Sequence, residues 1–430
     1  MRLVLKGGRI IDPSQHLDAE MDLLIEKGRI TRLGKRISVS EKEKKSGTRV
    51  ITLGGMVVMP GLIDMHTHLR EPGFEYKETI HTGCSAAVAG GFTAIACMPN
   101  TEPANDTRSV TEFILAQARL AGGATVYPIA AISKGRAGTV LAEFADLRDA
   151  GAVAFSDDGS PVAGSGVMRS ALEYAHSMGM PVISHCEDTG LSEGGQMNEG
   201  FVSTELGLAG IPSIAEEIMV RRDIAIAEFT GTPVHIAHVS TAGSVRAIRE
   251  AKKRGIHVTA ETAPHYFTLT EEALRGYSTS LKVNPPLRGA GDVEALKKGL
   301  RDGTIDAIAS DHAPHARTEK DVEFEYASPG IVGLETSLAL SLRLVHGKVL
   351  TLSQLAEKMS LNPARILGVP KGTLSAGADA DITVIDITRT WRVDADAFRS
   401  KSRNTPFHGW EMKGKAVLTI VGGEIKYRDM

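Results

Sequence analysis

The stretch Gly61-Leu62-Ile63-Asp64-Met65-His66-Thr67-His68-Leu69-Arg70-Glu71-Pro72-Gly73 decides the reading of this chain. An apolar run ends in two histidines two residues apart. In an extended strand, residues i and i+2 point to the same face. His66 and His68 can therefore aim two imidazoles at one point, as ligands of a divalent metal do. Arg70 follows two residues later, where a guanidinium can hold a substrate carboxylate by a two-pronged contact.

Beyond this stretch, strand-like and helix-like segments alternate. Helix candidates at 140–150, 167–178, 244–254 and 293–301 each stop at a glycine: Gly151, Gly179, Gly255 and Gly303. A β-rich run follows each, which is how a helix-to-strand loop is written. Eight strand candidates lie at 62–66, 93–98, 125–130, 152–156, 181–185, 233–238, 257–261 and 306–311. Their continuous apolar character suits parallel strands covered on both faces. Eight such alternations predict an α/β fold, a (β/α)8 TIM-like barrel. A doubly wound sheet is the competing arrangement.

Both chain ends have a different texture. Short runs at 3–5, 9–11, 22–25, 29–33 and 49–53 read as strands punctuated by Gly7-Gly8, Gly28 and Gly34. The runs 380–385 and 416–421 repeat this texture near the other end. The two ends are expected to pair into one small β-sandwich domain that the barrel interrupts. The expected division is 1–56 and 365–430 for the two parts of the β-domain, and 57–364 for the barrel. The charged run 40–47 reads as a solvated loop.

Bulk properties exclude several function classes. With 430 residues, 42% of them hydrophobic and 23% charged, the chain has ample material for a large core. A net charge of −3 gives no broad basic field for nucleic acid or an anionic membrane. Cys84, Cys97 and Cys186 show no CxxC spacing and make no disulfide framework. A reducing, cytoplasmic setting is expected. No secretory leader is apparent at the N-terminus, and no apolar run approaches the ~20 residues that a membrane helix needs.

In a barrel of this type, chemistry sits at the C-terminal ends of the strands. The polar residues at those ends form a coherent set: His66 and His68, Asn100, Asp157-Asp158-Gly159, His185-Cys186-Glu187, His238, Asn284, and Asp311-His312-Ala313-Pro314-His315. One histidine at a strand end is more often structural than not. Several histidines and aspartates at the ends of different strands point to a metal site. Strand parity does not choose between Asp157 and Asp158, because the backbone is about to turn at Gly159.

The chain resembles the amidohydrolase superfamily and, within it, class I dihydroorotases. Asp64-x-His66-x-His68-Leu69-Arg70-Glu71-Pro72-Gly73 is similar to that family's first signature. Ala309-Ser310-Asp311-His312-Ala313-Pro314-His315, with Lys320 beyond it, is similar to the second. The order of motifs between them also matches. The resemblance implies that His66, His68 and Asp311 bind one zinc and that His185 and His238 bind a second, with two Zn2+ expected per chain. Many relatives bridge their metals with a carboxylated lysine. This chain has an aspartate there, and the matching position is Asp158.

The implied activity is the reversible, zinc-dependent cyclisation of N-carbamoyl-L-aspartate to (S)-dihydroorotate and water in pyrimidine (UMP) biosynthesis. A metal lowers the pKa of a bound water to ~7, so hydroxide is present at neutral pH. Asp311 is the expected catalytic residue, carrying a proton from the attacking water to the departing nitrogen. The resemblance places His68, Leu69, Arg70, Asn100 and His315 on the substrate, with Asn284 on its ring amide and Pro329-Gly330 giving backbone contacts. It leaves room for aspartate carbamoyltransferase as a protein partner, and a homo-oligomer is expected. Two rival readings compete with it: a hydantoinase or allantoinase, and a silent scaffold for the transferase. The first group generally carries the bridging lysine and lacks the Leu69-Arg70 pair. The second would be expected to lose metal ligands that this chain keeps.

Overall fold

A computed structural model describes residues 2–430. Eight parallel strands form a ring: β1 (Leu62–Thr67), β2 (Phe92–Cys97), β3 (Thr125–Ala130), β4 (Ala154–Phe155), β5 (Ile183–Ser184), β6 (Val234–Ile236), β7 (Val258–Thr262) and β8 (Ala307–Ile308). Two four-stranded ladders, β1 to β4 and β5 to β8, make up its halves. Single parallel bridges close the seams, Phe155 with Val182 and Thr67 with His312. The second seam is reinforced by His68 N–H donating to the His312 carbonyl at 2.9 Å. The expected barrel is therefore present, and each expected strand lies where the apolar runs placed it. Several are shorter than expected because the chain leaves the ladder before the polar residues at the strand ends.

Strand periodicity divides the packing. Ala94 and Ala96 belong to the cluster inside the ring, together with Ile63, Ile129, Ile183 and Ala307. Ile95, between them, belongs to the outer core with Phe92, Val126, Val234 and Ile236, against helix residues such as Ile80, Ile114, Leu172 and Ile248. The helices Phe144–Ala150, Ser165–Ser177, Ala242–Lys253 and Ala290–Asp302 match the expected ones. Gly151, Gly179, Gly255 and Gly303 after them all have positive φ. The first helix starts at 144 rather than 140. Lys134 N–H donates to Val140 O and Ala142 N–H to Ile132 O, which holds residues 140–142 in an extended return loop.

Strands from both chain ends form one eight-stranded sheet. It includes Arg2–Asp12, Leu17–Glu26, Ile382–Arg392 and Glu411–Val421 around a common core of Leu3, Leu23, Ile25, Ile382, Leu418 and Ile420. Val57–Pro60, at the start of the expected barrel segment, pairs in this sheet, antiparallel to residues 382–385. Its alternation explains this placement: Val58 packs in the small core, while Val57 and Met59 pack in the barrel core. The run 40–47 also departs from expectation, because Glu41–Lys45 is a helix. Ser40 Oγ accepts from Glu43 N–H at 3.3 Å and Glu43 Oε2 accepts from Ser40 N–H at 2.7 Å, a reciprocal cap that the Ser-x-x-Glu spacing encodes.

Candidate metal centre

The strand ends deliver six side chains to the mouth of the barrel: His66, His68, Asp158, His185, His238 and Asp311. All are buried. Asp158 lies at their middle. Its Oδ2 is 3.4 Å from His66 Nε2 and 3.6 Å from His68 Nε2. Its Oδ1 is 3.4 Å from His185 Nδ1 and 3.2 Å from His238 Nε2. Asp311 Oδ1 lies 3.0 Å from His68 Nε2 and 3.6 Å from His66 Nε2. One carboxylate thus faces two groups of imidazoles, one through each oxygen. Asp157 points elsewhere. It accepts from Ser133 N–H at 3.0 Å and from the Ser133 hydroxyl.

These spacings fit a metal. Four ligands at about 2.0–2.1 Å in tetrahedral array lie about 3.3–3.4 Å from one another. The separations around His66 and His68 bracket that value. His66 Nε2 is a buried nitrogen without a hydrogen-bond partner among the described residues. It faces the gap between two carboxylates, because its other nitrogen, Nδ1, is held by Glu261 Oε1 at 2.6 Å. Two sets of three, His66/His68/Asp158 and Asp158/His185/His238, each bring their donor atoms within 4.8 Å of one another.

A surrounding layer fixes the imidazoles. Asn100 Oδ1 is 2.9 Å from His68 Nδ1, which leaves Nε2 to face the centre. Glu187 Oε2 lies 2.9 Å from His185 Nε2 and accepts from Asn284 Nδ2 at 3.0 Å. Burial opposes ionisation of Asp158. His66, together with hydrogen bonds from His185 and His238, outweighs burial and holds the carboxyl well below its usual range. Asp311 is lowered in the same way, by His68 and His66. Arg70, His238 and Asp311 all have left-handed backbones, with φ of 64°, 33° and 47°. Such conformations are costly for residues with side chains and cluster at functional sites.

A cavity of about 210 Å³ opens above the centre. His68, Arg70, Asn100, Asn284, His315, Pro329 and Gly330 line it. Leu69 does not. Its side chain is buried in the barrel core, close beneath Gly83, where an added Cβ would lie 2.5 Å from Leu69 Cδ2. Arg70 is buried, donating Nε–H to Pro314 O at 3.1 Å, with an Nη2 3.4 Å from His315 Nε2. Burial pulls its guanidinium down to about 10. His315 Nε2 bonds the Pro329 carbonyl at 2.8 Å, and burial beside Arg70 lowers its imidazole to about 2, so it is neutral.

Cys186 faces Ser184 and Asp223, away from the centre, and burial raises its thiol well above the usual range. His81 and His176 are exposed. His235 is 3.5 Å from Glu261 Oε2, and so touches the group that holds His66. Glu261 is the residue that sequence reading passed over. An acidic side chain within an apolar strand was its only signal. Glu261→Ala is expected to weaken metal affinity by about 10–100-fold, the usual cost of losing a group that orients a ligand histidine. Competition with a chromogenic chelator measures this, and affinity equal to the parent's would show that Glu261 does not orient His66.

Comparisons with known proteins give the family. A dihydro-orotase-like family model matches residues 55–244, and an amidohydrolase family model matches residues 217–427. A dihydroorotase of Syntrophus aciditrophicus is 59% identical over 429 residues, covering 100% of both chains. The chain belongs to the dihydroorotase family. A second dihydroorotase, from Pelotomaculum thermopropionicum, is 58% identical over 430 residues, covering 100% of this chain and 99% of its own. Among solved structures, the L-hydantoinase of Arthrobacter aurescens superposes with a TM-score of 0.88 at 26% identity, covering 99% of this chain and 96% of its own. The chain therefore shares its fold with an L-hydantoinase. No helix of the described residues is long and apolar enough to cross a membrane.

Proposed function

We propose that this protein is a dihydroorotase that interconverts N-carbamoyl-L-aspartate and (S)-dihydroorotate plus water within pyrimidine synthesis. The observation that carries the choice of substrate is Arg70. Its buried guanidinium has no carboxylate partner among the described residues; its contacts are Pro314 O and His315. A buried unpaired cation is costly, and an anion arriving with the substrate removes the cost. Dihydroorotate carries a carboxylate beside its ring, whereas hydantoin does not. The same argument sets this chain apart from the hydantoinases that share its fold.

His66, His68 and Asp311 would hold one zinc, and Asp158, His185 and His238 a second, with Asp158 shared. A bound divalent metal supplies Lewis acidity, lowering the pKa of a coordinated water to about 7 and polarising an amide carbonyl. In ring opening, the water oxygen bonds to the ring carbonyl carbon and the bond to the ring nitrogen breaks. Asp311, kept ionised by the imidazoles beside it, accepts the water proton and returns it to that nitrogen. Cyclisation runs the same transfers backward. Arg70, with neutral His315 beside it, holds the carboxylate. Asn284 and the Pro329-Gly330 backbone face the ring. Asn100 supports His68 and also borders the cavity.

The reading also carries the division 1–56, 57–364 and 365–430. Residues 57–60 serve as the strand shared by the two units. A cytoplasmic location is supported by three buried free cysteines. Homo-oligomer formation and association with aspartate carbamoyltransferase rest on family resemblance, and sedimentation with and without the transferase tests both.

Arg70→Met is expected to raise KM for dihydroorotate by about 100-fold or more, as loss of a charge-assisted two-pronged contact does, while metal content stays at the parent's level. Turnover of dihydroorotate and hydantoin by the parent is followed side by side. Opening of hydantoin but not dihydroorotate would reject the proposal.

A further inference from the structure

Asn404 lies outside the barrel motifs, in the segment that leads into the last strands of the end sheet. It is nonetheless buried, and it bonds Ala313, His315 and Gly330, three residues that line the substrate cavity. All of its amide contacts go to the two loops that line the carboxylate end. Its Oδ1 accepts from His315 N–H at 3.1 Å. Its Nδ2 donates to Ala313 O at 2.9 Å and to Gly330 O at 3.0 Å. Its own carbonyl accepts from Val332 N–H at 2.9 Å. One side chain thus joins the loop after β8 to the loop carrying Pro329-Gly330.

The two loops also touch directly, with Ala313 N–H donating to Ile331 O at 2.9 Å. A Cβ on Gly330 would lie 2.7 Å from Ala313 Cβ and 3.0 Å from His315 Cδ2. At this contact His315 Nε2–H donates to Pro329 O at 2.8 Å, and the same nitrogen lies 3.4 Å from Arg70 Nη2. The segment bearing Asn404 is itself anchored to the loop that follows Arg70. Lys401 N–H donates to Glu78 Oε1 at 3.0 Å and Ser402 Oγ to Lys77 O at 2.6 Å. On the far side of the Pro329 loop, Lys320 Nζ donates to Ser328 O at 2.6 Å and to Thr279 O at 2.9 Å.

We propose that Asn404 is a positioning residue for substrate-carboxylate recognition, setting His315 and the Pro329-Gly330 backbone in register with Arg70. The inference rests on the dihydroorotase reading and adds to it a part for the C-terminal segment in substrate selection. Asn404 touches no reacting atom. Its removal should therefore change substrate binding and leave the metal and the proton transfers alone.

The test is a double-mutant cycle on the full-length, metal-loaded protein, with dihydroorotate as substrate. Asn404→Ala is expected to raise KM by about tenfold, as losing the hydrogen bonds of one amide does, with kcat within about threefold of the parent and metal content near the parent's; the melting temperature is expected to fall, because His315 N–H, Ala313 O and Gly330 O lose a buried partner. Combined with Arg70→Met, it is expected to add little to the KM of Arg70→Met alone, because both act on one carboxylate. If Asn404→Ala does not fold, Asn404→Ser takes its place in the cycle with the same expectations. An unchanged KM, fully additive effects, or loss of metal and kcat together in both variants would overturn the proposal. Failure of the parent to open dihydroorotate would reject the function itself. Normal parent turnover and a raised KM in Arg70→Met, with none in Asn404→Ala, would reject only the part given to Asn404.

Discussion

Asp158→Ala is expected to lower dihydroorotate turnover by more than about 100-fold, beyond the usual cost of losing a group that merely orients a ligand. Bound metal is expected to fall with it. The reason is geometric. Each Asp158 oxygen faces a different group of imidazoles, at 3.2–3.6 Å. Without it, neither group keeps its shared anion, and several histidines are left packed around an uncompensated charge. Asp157→Ala, one residue away, is expected to keep metal and most activity. It loses its bonds to Ser133, a destabilisation of roughly 1–3 kcal/mol that thermal melting reads. Metal analysis and kcat on the two variants decide the matter, and equal losses in both would show that the centre is not built on Asp158.

Asp311→Asn is expected to reduce kcat by about 10²–10⁴-fold, the range for removing a positioned acid–base group. An amide fills the same volume and can still offer an oxygen to a cation, but it does not take up and return a proton. The loss should therefore fall on kcat in both directions of the reaction, with KM for dihydroorotate changing little. Arg70→Met should show the opposite division, so the two variants separate chemistry from recognition. A kcat near the parent's in Asp311→Asn would remove this residue from the proton path.

Much of this arrangement is legible in the sequence, for identifiable reasons. Residues two apart on a strand share a face, so His66-x-His68 announces convergence before any coordinate is known. Glycines at 151, 179, 255 and 303 mark helix ends because the backbone there turns left-handed. Asp157 and Asp158 are different. The strand ends at Phe155, and parity has no hold on the turn that follows. Only the hydrogen bonds of Ser133 show where Asp157 goes. Leu69 shows the converse: adjacency to Arg70 in a motif does not place its side chain in the same cavity. Glu261 shows only an acidic side chain in an apolar strand, and Asn404 carries no local pattern. Each acts through contacts with residues distant in the chain, His66 for one and His315 with Gly330 for the other. Such long-range partners are set by tertiary packing.

The most direct measurement follows metal content and dihydroorotate opening on one sample, before and after removal of metal by a chelator and again after zinc is restored. The buried His/Asp centre predicts that opening disappears with the metal and returns with it. Opening of dihydroorotate that persists in metal-free protein would contradict the account.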